Sequence, residues 1–179
     1  MSNKNRLRDL RCPLFSIIVP VYQNQETLNE CVDSVLRQRS QNYEMILVDD
    51  GSTDESRKIC DEYAEQYSQM ISVIHKSNEG PLLARLDGIR RAQGKYLLFL
   101  DADDTYVLGM LRKLEDIIKS QKADIIIFNY YRCYKNGKLE LNKPLYTNGQ
   151  VFERQKKQKL YKELITGFQL NALWQKCIR

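Results

Sequence analysis

Two rhythms of apolar and polar positions alternate along this chain. Short runs rich in β-branched and aromatic residues predict five strands: FSIIVPV (15–21), YEMILVD (43–49), ISVIH (71–75), YLLFL (96–100) and ADIIIFN (123–129). Between them the apolar spacing lengthens to that of helices. Leu28, Cys31, Val32, Val35 and Leu36 share one face within 27–38, and Ile59, Cys60, Tyr63 and Tyr67 share another. Leu83, Leu86 and Ile89 mark a third helix that stops near Gly94, and Leu111, Leu114, Ile117 and Ile118 a fourth. Thr27 with Glu30, and Ser52 with Glu55, read as capping boxes. Beyond residue 130 the rhythm changes. Asn136-Gly137 signals a hairpin turn, and a last helix is expected over about 155–166.

Strand, helix, strand, repeated with continuously apolar strands, predicts an α/β fold. Its sheet is mostly parallel, with helices on both faces. In such sheets a ligand sits outside the carboxyl ends of the strands. That rule gathers four segments: Pro20–Tyr22, Asp49–Ser52, Asn78–Gly80 and Asp101–Asp104. A site with several carboxylates and no histidine suits a hard cation, Mg²⁺ or Mn²⁺.

Composition narrows the classes. At 179 residues the chain suits one domain with a sizeable core. No apolar run approaches the roughly 20 residues that span a bilayer, and the basic N-terminus lacks a signal-like apolar stretch. The expectation is a cytoplasmic protein, with the inner face of the membrane as its one membrane surface. Residues 1–131 carry 17 Lys/Arg against 20 Asp/Glu, whereas residues 132–179 carry 11 against 3. The run ERQKKQK (153–159) could meet an anionic membrane or substrate, or form the solvated face of a helix. No basic motif with interleaved aromatics is present, so nucleic acid is not an expected partner. Five scattered cysteines read as reduced thiols, mostly buried, and the single histidine, His75, reads as a strand end.

Two chemistries use an apolar strand that ends in acids. Asp101-Ala102-Asp103-Asp104-Thr105 fits the D-x-D-x-T motif of haloacid dehalogenase-type phosphatases, in which the first Asp attacks phosphorus. Such motifs open their fold near the N-terminus, and this one stands past the middle of the chain. The second chemistry is sugar transfer. VPVYQ (19–23), VDDGSTDES (48–56), NEGPLLARLDGI (78–89) and LDADD (100–104) occur in the order seen in family 2 glycosyltransferases of the GT-A fold, which the chain resembles from Phe15 to Asp124 and more faintly to Arg179.

The resemblance implies a nucleotide-sugar (donor) domain over 15–130, an N-terminal extension over 1–14 and a partial acceptor-side region over 131–179. It implies that Asp103 binds Mn²⁺ or Mg²⁺ and that Asp101 lies by the ribose or a metal-bound water. Asp50 would accept the uracil N3–H, and Pro20, Val21 and Tyr22 would wall the base. Asn78 and Ala102 would border the nucleotide, and Arg85 would lie near the base or phosphates. For Tyr22 a plain core position is the alternative, and for Arg85 an ion pair with Asp50 or Asp87. Gln23, Pro81, Leu82, Leu86 and Asp87 depart from the family's usual residues, which leaves the donor sugar open. The implied partners are a UDP-sugar and a glycan or glycolipid acceptor, with peripheral membrane association through the basic C-terminal region. The implied reaction inverts the anomeric centre in polysaccharide or glycoconjugate synthesis. No catalytic base is identified: NALWQKCIR (171–179) resembles a segment that precedes the family's acidic pair, so the base is expected beyond Arg179. The alternative is a catalytically incomplete fragment that binds nucleotide and metal only.

Overall fold

The computed structural model describes residues 12–134, 136–142, 149, 151 and 176–179. The elements run β1 (Phe15–Val21), α1 (Leu28–Leu36), β2 (Tyr43–Asp49), α2 (Ser56–Gln66), β3 (Ile71–His75), α3 (Pro81–Arg91), β4 (Tyr96–Phe99), α4 (Met110–Gln121), β5 (Ile125–Ile127), β6 (Tyr131–Cys133), β7 (Leu139–Leu141) and β8 (Lys176–Ile178). Six strands form one sheet in the order β3-β2-β1-β4-β8-β5. β1, β2, β3 and β4 are mutually parallel, and β8 runs antiparallel between β4 and β5. The expected α/β fold, with a mostly parallel sheet and helices on both faces, is therefore present. The hairpin is present too, as β6 and β7 around Gly137. The helix expected over 155–166 lies outside the described residues.

Alternation along the strands divides the core. Ile17, Val19, Met45, Leu47 and Leu98 pack with Leu28, Val32, Cys60, Leu111 and Leu114, so α1, α2 and α4 cover one face. Ile18, Ile46, Val48 and Phe99 pack with Ala84, so α3 covers the other. The winding reverses between β1 and β4: β2 and β3 lie to one side of β1, and β4 to the other. The carboxyl ends of β1 and β4 are therefore the switch point at which sheets of this kind receive ligands.

Three local expectations are corrected. α3 does not bury Leu83, Leu86 and Ile89, which are all exposed; it buries Ala84 and Gly88. A Cβ at Gly88 would stand 2.4 Å from Ile18 Cγ2, so α3 sits on β1 at a distance that only its smallest residues allow. Neither capping box forms. Thr27 is the N-cap of α1 but makes no side-chain cap, and its hydroxyl is buried without a partner among the described residues. α2 starts three residues later than the Ser52 box requires, with Glu55 as its N-cap, and the Ser52 hydroxyl accepts the Gln23 N–H instead. Finally, β4 ends at Phe99 and β5 spans three residues, both shorter than the apolar runs that predict them.

Candidate functional site

The acidic cluster stands on a turn. β4 stops at Phe99, and the Asp104 N–H donates to the Asp101 carbonyl oxygen (2.9 Å) to close Asp101–Asp104. Strand alternation therefore does not orient these acids. The turn does, with Ala102 buried in the core and Asp103 and Asp104 exposed. Cys31 of α1 anchors the turn from beneath, its thiol donating to the Asp101 carbonyl oxygen (3.6 Å). Burial, and then the charges of Asp104, Asp103 and Asp101, push the Cys31 thiol well above its ordinary pKa, so it stays protonated and able to donate.

The three carboxylates have different surroundings. Arg85 on α3 hydrogen-bonds the Asp101 carboxylate through Nη2. Asp103 carries no side-chain partner among the described residues. The Asp104 carboxyl is raised above its ordinary value, first by desolvation and then by Asp103 and Asp101. One cation for three clustered acids leaves an uncompensated negative field, centred on Asp103 and Asp104. The ion pair expected between Arg85 and Asp50 or Asp87 does not form. Asp87 pairs instead with Lys76 and Arg90. The Arg85 Nε–H is buried without a hydrogen-bond partner among the described residues. An orphaned buried donor is costly unless a ligand completes it.

Asp50 follows β2 and is 3% exposed. Its two oxygens accept the backbone N–H groups of Glu79 (3.0 Å) and Gly80 (2.8 Å), which fastens the loop before α3. Two of its roughly four acceptor directions are thereby used. Gly51 makes this docking feasible. It has φ +77°, and a Cβ there would lie 2.7 Å from the Asn78 backbone nitrogen. The neighbouring Asp49 faces the other way, fully buried, accepting from the Ser52 N–H (2.9 Å) and hydrogen-bonding His75 Nδ1 (2.9 Å). The opposite ring nitrogen of His75 reaches Asp61 (2.8 Å), so both imidazole nitrogens serve structure.

The end of β1 supplies the remaining border. Val21 is buried in the α1 face, so its backbone alone can reach the switch point, while Pro20 is partly exposed. Tyr22 is 48% exposed, which overturns the core alternative for its ring. Asn78 is exposed on the β3–α3 loop. The structure thus brings Tyr22, Asp50, Asn78, Arg85, Asp101 and Asp103 to one edge of the sheet.

Two supports escape a reading by sequence. Gln23, visible there only as a departure from a pattern, adopts φ +55°. Its side chain donates to Thr53 Oγ1 (2.9 Å) and accepts from the Asp54 N–H (3.2 Å), joining the β1 and β2 loops. Cys31 looks like any core thiol, and no sequence signal marks its contact with Asp101.

A divalent cation fits this donor set in one way. Among the described residues no three metal-binding side chains converge. Asp103 is open, however, and its surroundings are negative. Mg²⁺-type ions are commonly held by one or two carboxylates with substrate phosphates completing the shell.

Known proteins place the chain. The model of the family described as Glycosyl transferase family 2 matches residues 16–176. Glycosyltransferase GlyG of Streptococcus pneumoniae is 39% identical over 140 residues, which cover 78% of this chain and 45% of GlyG. TarS 1-349 of S. aureus, solved in complex with UDP, matches with TM-score 0.66 at 23% identity, over 92% of this chain and 46% of that one. Mannosyltransferase PcManGT from Pyrobaculum calidifontis, solved with GDP-Man and Mn²⁺, matches with TM-score 0.59 at 20% identity, over 66% of this chain and 36% of that one. These two likenesses are of fold. The chain spans less than half the length of GlyG. Its sheet order, its strand-end acids and this family match agree, and the phosphatase reading falls away: the chain belongs to glycosyl transferase family 2, on a GT-A fold.

Proposed function

We propose that the chain forms the donor-binding part of an inverting glycosyltransferase that takes sugar from a UDP-sugar and passes it to a hydroxyl of a glycan or glycolipid acceptor. The observation that carries the proposal is the spare capacity beside the Arg85–Asp101 pair. Among the described residues a buried guanidinium N–H has no acceptor, and Asp103 has no cationic side-chain partner. A diphosphate accompanied by a divalent cation supplies both.

In this reading Asp103 holds Mn²⁺ or Mg²⁺, with Asp101 beside it. The bound ion neutralises charge that develops on the departing diphosphate. Arg85 donates its free N–H to a phosphate oxygen and keeps Asp101 in position. Asp50 accepts the uracil N3–H with its unused lone pairs. Tyr22, Pro20 and the Val21 backbone border the base, and Asn78 and Ala102 lie along the nucleotide. The bound partners of TarS and PcManGT, UDP and GDP-Man with Mn²⁺, support a nucleotide donor in general terms. Calorimetric titration of the chain with UDP and with GDP, each with Mg²⁺, tests the donor. UDP should bind at least tenfold more tightly. Equal affinities would remove the role given to Asp50.

A further inference from the structure

A groove of about 480 Å³ opens on the α1 side of the sheet, between α1 and the chain just after the Asp101–Asp104 turn. Its walls include Glu30, Arg37, Arg39, Thr105 and Leu108. The volume lies in the range of small-molecule sites. Three observations distinguish the groove from ordinary surface relief.

Its wall is held in place. The Ser34 hydroxyl accepts the Tyr106 N–H (3.0 Å). The Gln38 side-chain amide donates to the Val107 carbonyl oxygen (3.1 Å) and accepts the Gly109 N–H (3.1 Å). Residues 105–109 are therefore clamped to α1 and the residues just after it by two buried polar side chains, Ser34 and Gln38. Its charge is also unspent. Arg37 and Arg39 are exposed, and neither has a carboxylate partner among the described residues, although Glu30 lines the same groove. Leu108, 62% exposed, adds an apolar surface to the same groove as Thr105. Thirdly, its place is next to the donor turn. Thr105 directly follows Asp104, and Cys31 of the same helix touches the Asp101 carbonyl oxygen.

We propose that this groove binds a hydroxylated anion: a sugar or polyol carrying a phosphate or a carboxylate. The anionic group lies on Arg37 and Arg39, whose planar guanidinium groups match either oxyanion. Hydroxyls meet Glu30 and Thr105, and the carbon face of the ligand rests on Leu108. The carboxylate of Glu30 selects against a bare multiply charged anion and in favour of one that brings hydroxyl donors. Identifying this ligand as the acceptor rests on the donor reading above; the groove's binding does not.

Amide NMR of the full chain, titrated with glucose 6-phosphate, glucuronate, glucose and inorganic phosphate, tests the proposal. At least one of the first two should shift amides in 34–39 and 105–109 saturably. Glucose and phosphate should bind about tenfold more weakly or worse. A response to glucose 6-phosphate assigns a phosphate, and a response to glucuronate a carboxylate. R37Q/R39Q should weaken binding by about tenfold, with R37K/R39K recovering part of it. Both side chains are exposed, so an unchanged melting midpoint certifies the fold of each variant. Saturating UDP with Mg²⁺ should leave the groove shifts in place. A chain that ignores UDP but keeps the groove shifts refutes the donor reading and retains the groove. Absence of saturable shifts there, equal binding by R37Q/R39Q, or displacement by UDP would overturn the proposal. So would capture by phosphatidylglycerol vesicles that needs Arg37 and Arg39 without any response to the sugar anions, which would assign the surface to a membrane.

Discussion

The guanidinium of Arg85 hydrogen-bonds the carboxylate of Asp101, tying the helix that follows β3 to the turn that follows β4. The pair sets the electrostatics of the site. It neutralises one of three clustered acids and leaves Asp103 open, while one buried N–H of Arg85 has no acceptor among the described residues.

Replacing Arg85 with Lys keeps a charge but removes the planar fork. UDP binding in the presence of Mn²⁺ should weaken about tenfold, and Arg85→Met should weaken it further. Calorimetry reads both. Full affinity in Arg85→Met would show that the guanidinium serves the fold alone.

Gly51 is predicted to resist substitution. Gly51→Ala meets both a left-handed backbone and the Asn78 nitrogen at 2.7 Å. The fold should lose about 1–2 kcal/mol or more in urea unfolding. Equal stability would mean that the β3–α3 loop moves aside freely.

Asp50→Ala removes the acceptors of two backbone N–H groups at the start of α3. A loss of about 1–3 kcal/mol is expected in chemical denaturation. Asp50→Asn, which keeps one acceptor oxygen, should fall between that variant and the native chain.

His75 gives stability a pH dependence. Partial burial alone would lower its pKa, but hydrogen bonds to Asp49 and Asp61 outweigh burial, and the net direction is upward from 6.5; Arg57 opposes the rise. A group whose folded pKa is raised stabilises fully below its unfolded pKa. That contribution fades as pH climbs from about 6.5 through the folded value. The melting midpoint of the native chain should therefore decline over this window, and that of His75→Gln should decline less. Parallel profiles would show that His75 is not the group behind the decline.

The strands were legible because each is a continuous apolar run, and the acids were legible because they follow such runs. The inward face of α3 was not. Its leucines and isoleucine repeat at helical spacing, yet Gly88 against Ile18 decides the contact, because a flat sheet admits a helix most closely where side chains are absent. Position 85 illustrates the same limit at the site. The sequence suggests Asp87 or Asp50 as the partner of Arg85, and topology delivers Asp101 instead, from sixteen residues downstream. The antiparallel insertion of β8 between β4 and β5 is likewise set by long-range pairing, which local pattern does not encode.

In the proposed donor site, Asp103 and the Arg85–Asp101 pair receive a nucleoside diphosphate together with a divalent cation. Calorimetric titration of UDP into the native chain and into Asp103→Ala, each with Mn²⁺ and with EDTA, tests it most directly. Mn²⁺ should tighten UDP binding to the native chain about tenfold or more, and Asp103→Ala should abolish this gain. UDP affinity that is independent of Mn²⁺ in the native chain, or a full Mn²⁺ gain in Asp103→Ala, would contradict it.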